Sequence, residues 1–75
     1  MTKSIGQEIL DEYGKAANKY PAFNSTHEGY AVIAEELDEL WDKVKLNKGI
    51  KGNELMRQEC IQIAAMAVRF IHDLC

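Results

Sequence analysis

Apolar residues recur along this chain at helical spacing, in three stretches separated by two joints. Ile5, Ile9, Leu10, Tyr13 and Ala17 mark the first stretch, about residues 4–19. Ile33, Leu37, Leu40, Trp41 and Val44 form one stripe on the second, about residues 27–46. The third, about residues 54–74, carries two apolar sides: Ile61, Ala64, Ala65, Val68 and Ile71 on one, Ile63, Ala67, Phe70 and Leu74 on the other. No alternating run of β-branched residues predicts a strand. The expected fold class is therefore all-α, three helices in one domain spanning residues 1–75.

The joints carry their own signals. Pro21 precludes helix around residues 20–26, and Ser25 or Thr26 supplies an N-cap for the second helix. Glu28, three residues after Ser25, completes a capping-box pattern. In the second joint, Gly49 suits a helix C′ position and Asn53 an N-cap. A connection that short, around Lys48, predicts an antiparallel hairpin of the second and third helices.

A helix that is apolar over most of its circumference must be covered over most of it. Three helices do not cover the third one alone, so the pattern predicts homo-oligomerisation, most simply a two-fold dimer completing a four-helix-type core. Ala64, Ala65 and Ala67 suit close helix approach. Length points the same way. A chain of 75 residues buries only about 60% of its unfolded surface and needs reinforcement from disulfides, a metal or a partner. Its two cysteines, Cys60 and Cys75, form neither a disulfide framework nor a CxxC pair and read as reduced thiols.

Charge narrows the chemistry. A net charge of −3 leaves no basic surface for a nucleic-acid backbone, so no nucleic-acid partner is expected. An anionic nucleotide is still a fitting ligand if a divalent cation stands between it and the protein. The N-terminal MTKSIGQEIL has no long apolar stretch. The most apolar run, residues 61–71, is interrupted by Gln62 and Arg69, so no membrane partner is expected and the cytoplasm is the default location.

The candidate chemistry lies in Glu35-Glu36-Leu37-Asp38-Glu39. On a helix, Glu36 and Glu39 (i, i+3) and Glu35 and Glu39 (i, i+4) are neighbours, and like charges so placed repel by about 0.2–0.5 kcal/mol per pair. A divalent cation relieves that repulsion. Carboxylate oxygens suit Mg²⁺, which keeps several waters and binds through few protein carboxylates plus substrate phosphates. Glu59 and Gln62 form a second i, i+3 pair on the third helix. An antiparallel hairpin closed with these faces together would line one pocket with Glu36, Glu39, Glu59 and Gln62. Glu-rich helical faces also occur as plain solvated surfaces, and spacing alone leaves both readings open.

The order of these elements resembles the MazG-like, all-α nucleotide pyrophosphohydrolases: an EExxE motif on one helix, a short joint, then an ExxD-type pair. The likeness extends through HEGYAVIAEELDELWDKV from His27 to Val44 and ECIQIAAMAVRF from Glu59 to Phe70, about two-thirds of the chain. The resemblance implies helical homodimers or homotetramers that hydrolyse nucleoside triphosphates between the α and β phosphates, using Mg²⁺ held by acids of both motifs. By position it implies Glu36, Glu39 and Glu59 as metal ligands, and Glu35 as a further ligand or the group orienting the attacking water. One position departs from the pattern. Where the family has Asp, this chain has Gln62, whose amide oxygen coordinates without charge and cannot act as a base at neutral pH. Gln62 is then a weak ligand, a substrate contact, or the cause of reduced catalysis.

Lys43 and Arg69 are candidate phosphate contacts, with surface pairing to acids as the alternative, and Glu28 is a candidate at the pocket rim. His27 reads as a surface or capping residue. Trp41 reads as a core or interface anchor. Tyr20, Phe23 and Tyr30 gather at the first joint, either as packing or as a base-stacking surface. The functional expectation is a Mg²⁺-dependent nucleoside triphosphate pyrophosphohydrolase. The alternative is a non-catalytic module of the same fold that binds nucleotide or protein. A di-iron bundle is a weaker match, because neither His27 nor His72 has a Glu three residues before it.

Overall fold

A computed structural model describes residues 3–46 and 49–75. Those residues form three α-helices: α1 (Ile5–Lys19), α2 (Thr26–Leu46) and α3 (Gly49–Leu74). Local chemistry sets most of the ends. Ser4 caps α1, its hydroxyl accepting from the Gln7 N–H at 3.1 Å. Tyr20 then turns extended (φ −124°, ψ 147°), the conformation that the following Pro21 ring favours. Ser25 caps α2, accepting from the Glu28 N–H at 3.1 Å. The capping box is only half formed, because the Glu28 carboxylate accepts from the Asn24 N–H at 2.9 Å, one residue before the cap's own.

The third helix starts earlier than the sequence predicts. Gly52 and Asn53 lie inside α3, so Asn53 is not its N-cap. Gly49 explains the difference. Its φ of +72° is the only left-handed backbone among the described residues, so the chain turns there and the helix begins at once. Gly52 is buried within α3, its weak helix propensity overridden by context. The part of the expected joint at Asn47 and Lys48 lies outside the described residues.

Antiparallel packing of α2 on α3 follows from which residues meet. Gly29 lies under Phe70 and Leu74 at one end, and Glu36 and Glu39 lie beside Glu59 toward the other. The first helix runs alongside α3 in the same direction, with Arg57 on Glu8 near its start and Arg69 on Pro21 just past its end. Both α1 and α2 pack on α3 and not on each other, which leaves a trough between them floored by α3. The overall extents of 38 × 32 × 19 Å fit this open layer. The radius of gyration is 13.1 Å, against about 11 Å for a closed globule of this length.

The core is correspondingly small. Ala16, Phe23, Ala65 and Met66 are buried, with Ile9, Tyr13, Val32, Ile33, Phe70 and Leu74 packed around them. Two expected stripes shift. On α1 the inward edge is Ile9, Tyr13 and Ala16, while Ile5, Leu10 and Ala17 are exposed. On α2 the stripe splits: Ile33 and Leu40 are half-buried, but Leu37 is 55% exposed and Trp41 57%. On α3, Ala65 is fully buried, whereas Ala67 and Ile71 face outward. No described helix is long and apolar enough to cross a membrane, and both cysteines are free and exposed.

Candidate functional site

The helical hairpin brings Glu36 and Glu39 of α2 to Glu59 of α3. One carboxylate oxygen from each lies within 4.8 Å of the other two, and all three residues are half-buried. This is an unfavourable arrangement of like charges, and its electrostatics record that. The Glu36 carboxyl is pushed up to about 7, first by desolvation, then by Glu39 and Glu59. Glu59 is also raised, by burial and by Glu39, with Lys43 opposing. One oxygen of Glu59, Oε2, is buried and has no hydrogen-bond partner. Buried polar atoms are nearly always satisfied, so such an oxygen calls for an explanation.

The donor set fits a hard divalent cation. An octahedral ion with bonds of about 2.1 Å holds its ligand oxygens about 3–4 Å apart, a spacing these carboxylates reach with small side-chain adjustments. All donors are oxygens, and half-burial leaves room for water ligands. The orphaned Glu59 oxygen is the atom such an ion would satisfy.

The trough between α1 and α2 opens beside this cluster, with a volume of about 650 Å³. Glu36 and Gln62 stand at the end nearest the acids, Glu35 lies along the α2 wall, and Tyr20, Pro21 and Arg69 stand at the loop end. Gln62 and Glu35 therefore border the trough, while Glu36 belongs to both trough and acid cluster. Lys43 is half-buried and close enough to Glu59 to oppose the rise of its pKa, but it does not line the trough.

Arg69 is already engaged. Its side chain is only 7% exposed and lies 3.6 Å from the Asp73 carboxylate. The guanidinium donates to the Pro21 carbonyl and stacks 4.3 Å from the Phe23 ring centroid. Asp73 in turn accepts from the Phe23 N–H at 3.0 Å. That hydrogen bond, with help from His72 and Arg69, holds the Asp73 carboxyl below its usual range. Arg69 therefore clamps the first joint onto α3, a task other than the phosphate contact expected of it. Glu28 borders the trough with its carboxylate tied to Asn24. Phe23 is buried under Arg69, and Tyr30 is exposed away from the trough. Of the three aromatics at the joint, Tyr20 is the one with an accessible ring beside the trough.

Sequence reasoning missed the α1 wall of the trough, formed by Glu12, Lys15, Ala16 and Lys19. The signal was available in their 12, 15/16, 19 spacing, one face of a helix. Yet Lys15 and Lys19 flank the Ile9–Tyr13–Ala16 edge without an apolar signal of their own, so periodicity alone reads them as solvated surface. No protein-family model, no curated protein and no solved structure matches this chain.

Proposed function

We propose that the protein is a Mg²⁺-dependent nucleoside triphosphate pyrophosphohydrolase, with Glu36, Glu39 and Glu59 as metal ligands. The observation that carries this reading is the meeting of three half-buried carboxylates from two helices, one with a buried oxygen lacking any partner. Like charges packed this way without a cation disfavour the fold. The MazG-like resemblance of the sequence supports the same assignment.

When bound, the cation neutralises phosphate charge and lowers the pKa of a coordinated water. Glu35, on the trough wall one residue before Glu36, orients the attacking water and takes its proton. Water oxygen bonds to the α-phosphorus, the α–β bridging P–O bond breaks, and pyrophosphate leaves with the electron pair. The products are a nucleoside monophosphate, pyrophosphate and a proton. Gln62, at the trough end, contributes an amide oxygen as a neutral ligand or substrate contact. Lys43 balances charge near Glu59.

Oligomerisation belongs to the same proposal. Tyr30, Leu37, Trp41 and Val44 lie along one exposed seam of α2, and an apolar strip of this kind fits a homodimer or homotetramer interface. Light scattering on the eluted protein tests this. A cytoplasmic location, where thiols stay reduced, accords with the free Cys60 and Cys75.

Incubating the purified chain with a panel of nucleoside triphosphates and Mg²⁺ tests the activity. Pyrophosphate release that vanishes in Glu36→Ala and Glu39→Ala supports the enzyme. One observation favours a second reading. Gln62 brings no charge where an acid would complete the set, so metal-dependent nucleotide binding without turnover would identify a non-catalytic binding module. Gain of activity in Gln62→Asp would locate the deficit.

A further inference from the structure

The walls of the trough differ in charge. The charged residues of its α2 side are all acids, Glu28, Glu35 and Glu36, whereas its α1 side presents Lys15 and Lys19 one helical turn apart beyond a single acid, Glu12. Among the described residues neither lysine makes a salt bridge, although acids stand across the gap. The two helix backbones make no close approach, so the walls are spaced by α3 and not drawn together by their charges. A ligand that joins them must offer anionic groups toward α1 and a cation toward the acids at the Glu36 end. A metal-chelated polyphosphate has that polarity.

We propose that this trough seats the nucleotide, with Lys15 and Lys19 as the cationic wall that binds its phosphate chain. The proposal rests on the reading of Glu36, Glu39 and Glu59 as a divalent-cation site. Size agrees, since ligand pockets run about 300–1,000 Å³ and this one is about 650 Å³. Length agrees as well. From Gln62 to Arg69 the floor runs about 10 Å along α3, which seats the phosphate chain from the acids past Lys15 toward Lys19 and the nucleoside at the loop end beyond it. There the Tyr20 ring is half-exposed, with Lys19 Nζ 5.4 Å from its centroid. The depth of the trough is apolar on all three sides, from Ala16 of α1, Val32 of α2 and Met66 of α3, which favours a flat, weakly hydrated base over a second charged group.

Both lysines are exposed on α1, so replacing them leaves the core intact. Calorimetric titration of the whole chain separates this inference from the metal reading. Mn²⁺ alone probes the acids, and Mn²⁺ with the α,β-methylene analogue of a nucleoside triphosphate probes the trough. In Lys15→Ala/Lys19→Ala, Mn²⁺ affinity stays within about twofold, while analogue affinity falls about tenfold per lysine. Lys15→Arg/Lys19→Arg restores the analogue. In turnover the alanine pair raises KM more than it lowers kcat. Unchanged analogue affinity in the alanine pair, with Mn²⁺ still bound, overturns the inference and leaves the metal reading standing. Loss of Mn²⁺ binding in the alanine pair also overturns it, because the lysines would then act through the fold. Absence of Mn²⁺ binding in the unaltered chain overturns the metal reading and this inference with it.

Discussion

The α2–α3 hairpin holds charge in two places about 15 Å apart along α3, and the two places treat it oppositely. Toward the C-terminal end of α3, Arg69 and Asp73 are almost wholly buried, yet each has partners: the Phe23 N–H, the Pro21 carbonyl, an aromatic face and one another. Toward the middle, Glu36, Glu39 and Glu59 are less buried but share only one sign, and a Glu59 oxygen has no partner at all. Burial alone does not mark a functional site. A buried ion pair with its hydrogen bonds satisfied fixes a loop, whereas converging like charges with an unmet oxygen are relieved by a proton or by a cation, and so leave a place where a ligand would be stabilised.

The largest effect should come from breaking the satisfied end. Arg69→Ala takes the cation from Asp73, the donor from the Pro21 carbonyl and the stacking partner from Phe23 at once, so its loss of stability should be the greatest of those considered. Chemical denaturation should record that loss, while the chains that remain folded keep their divalent-cation affinity. Gly29→Ala comes next. A Cβ at this position would meet Phe70 Cδ2 at 2.6 Å and Leu74 Cδ1 at 3.1 Å. Pushing α2 off α3 costs about 1–3 kcal/mol, and the better helix propensity of Ala returns up to about 1 kcal/mol. A net fall in the melting temperature is expected.

The smallest effect has opposite signs at the two places. Asp73 titrates below its ordinary value, so its contribution is complete above about pH 4 and is lost as pH falls through the depressed folded value. Glu36 titrates near 7, above the usual carboxylate value of about 4.3. The folded chain then holds the extra proton, so without divalent cation stability declines as pH rises from about 4.3 to 7 and levels off beyond. Melting curves across pH should lose the acid-side fall in Asp73→Asn and the neutral-side fall in Glu36→Gln.

Much of this was legible in the residues. Periodicity gave three helices, and Ser25 and Pro21 gave the first joint, because capping and proline sterics act locally. The hairpin partners Glu36, Glu39 and Glu59 were legible because spacing on two antiparallel helices fixes which faces meet. What was not legible depended on long-range packing. Asn53 reads as a cap, yet the left-handed turn at Gly49 is sufficient to start α3 earlier. Arg69 reads as a phosphate contact or a surface partner of acids; it does pair with Asp73, but the return of the Pro21–Phe23 segment onto α3 makes that pair a buried clamp. Lys15 and Lys19 carry no apolar signal, and only the gap left between α1 and α2 over α3 turns their face toward a trough.

A cation site at the crowded carboxylates of α2 and α3 would show itself when Mn²⁺ is titrated into the protein at pH 8 and the free-ion paramagnetic signal is followed. Saturable uptake is expected, and it should disappear in Glu36→Gln while circular dichroism stays helical. Uptake that never saturates, or that persists unchanged in Glu36→Gln, would rule the site out.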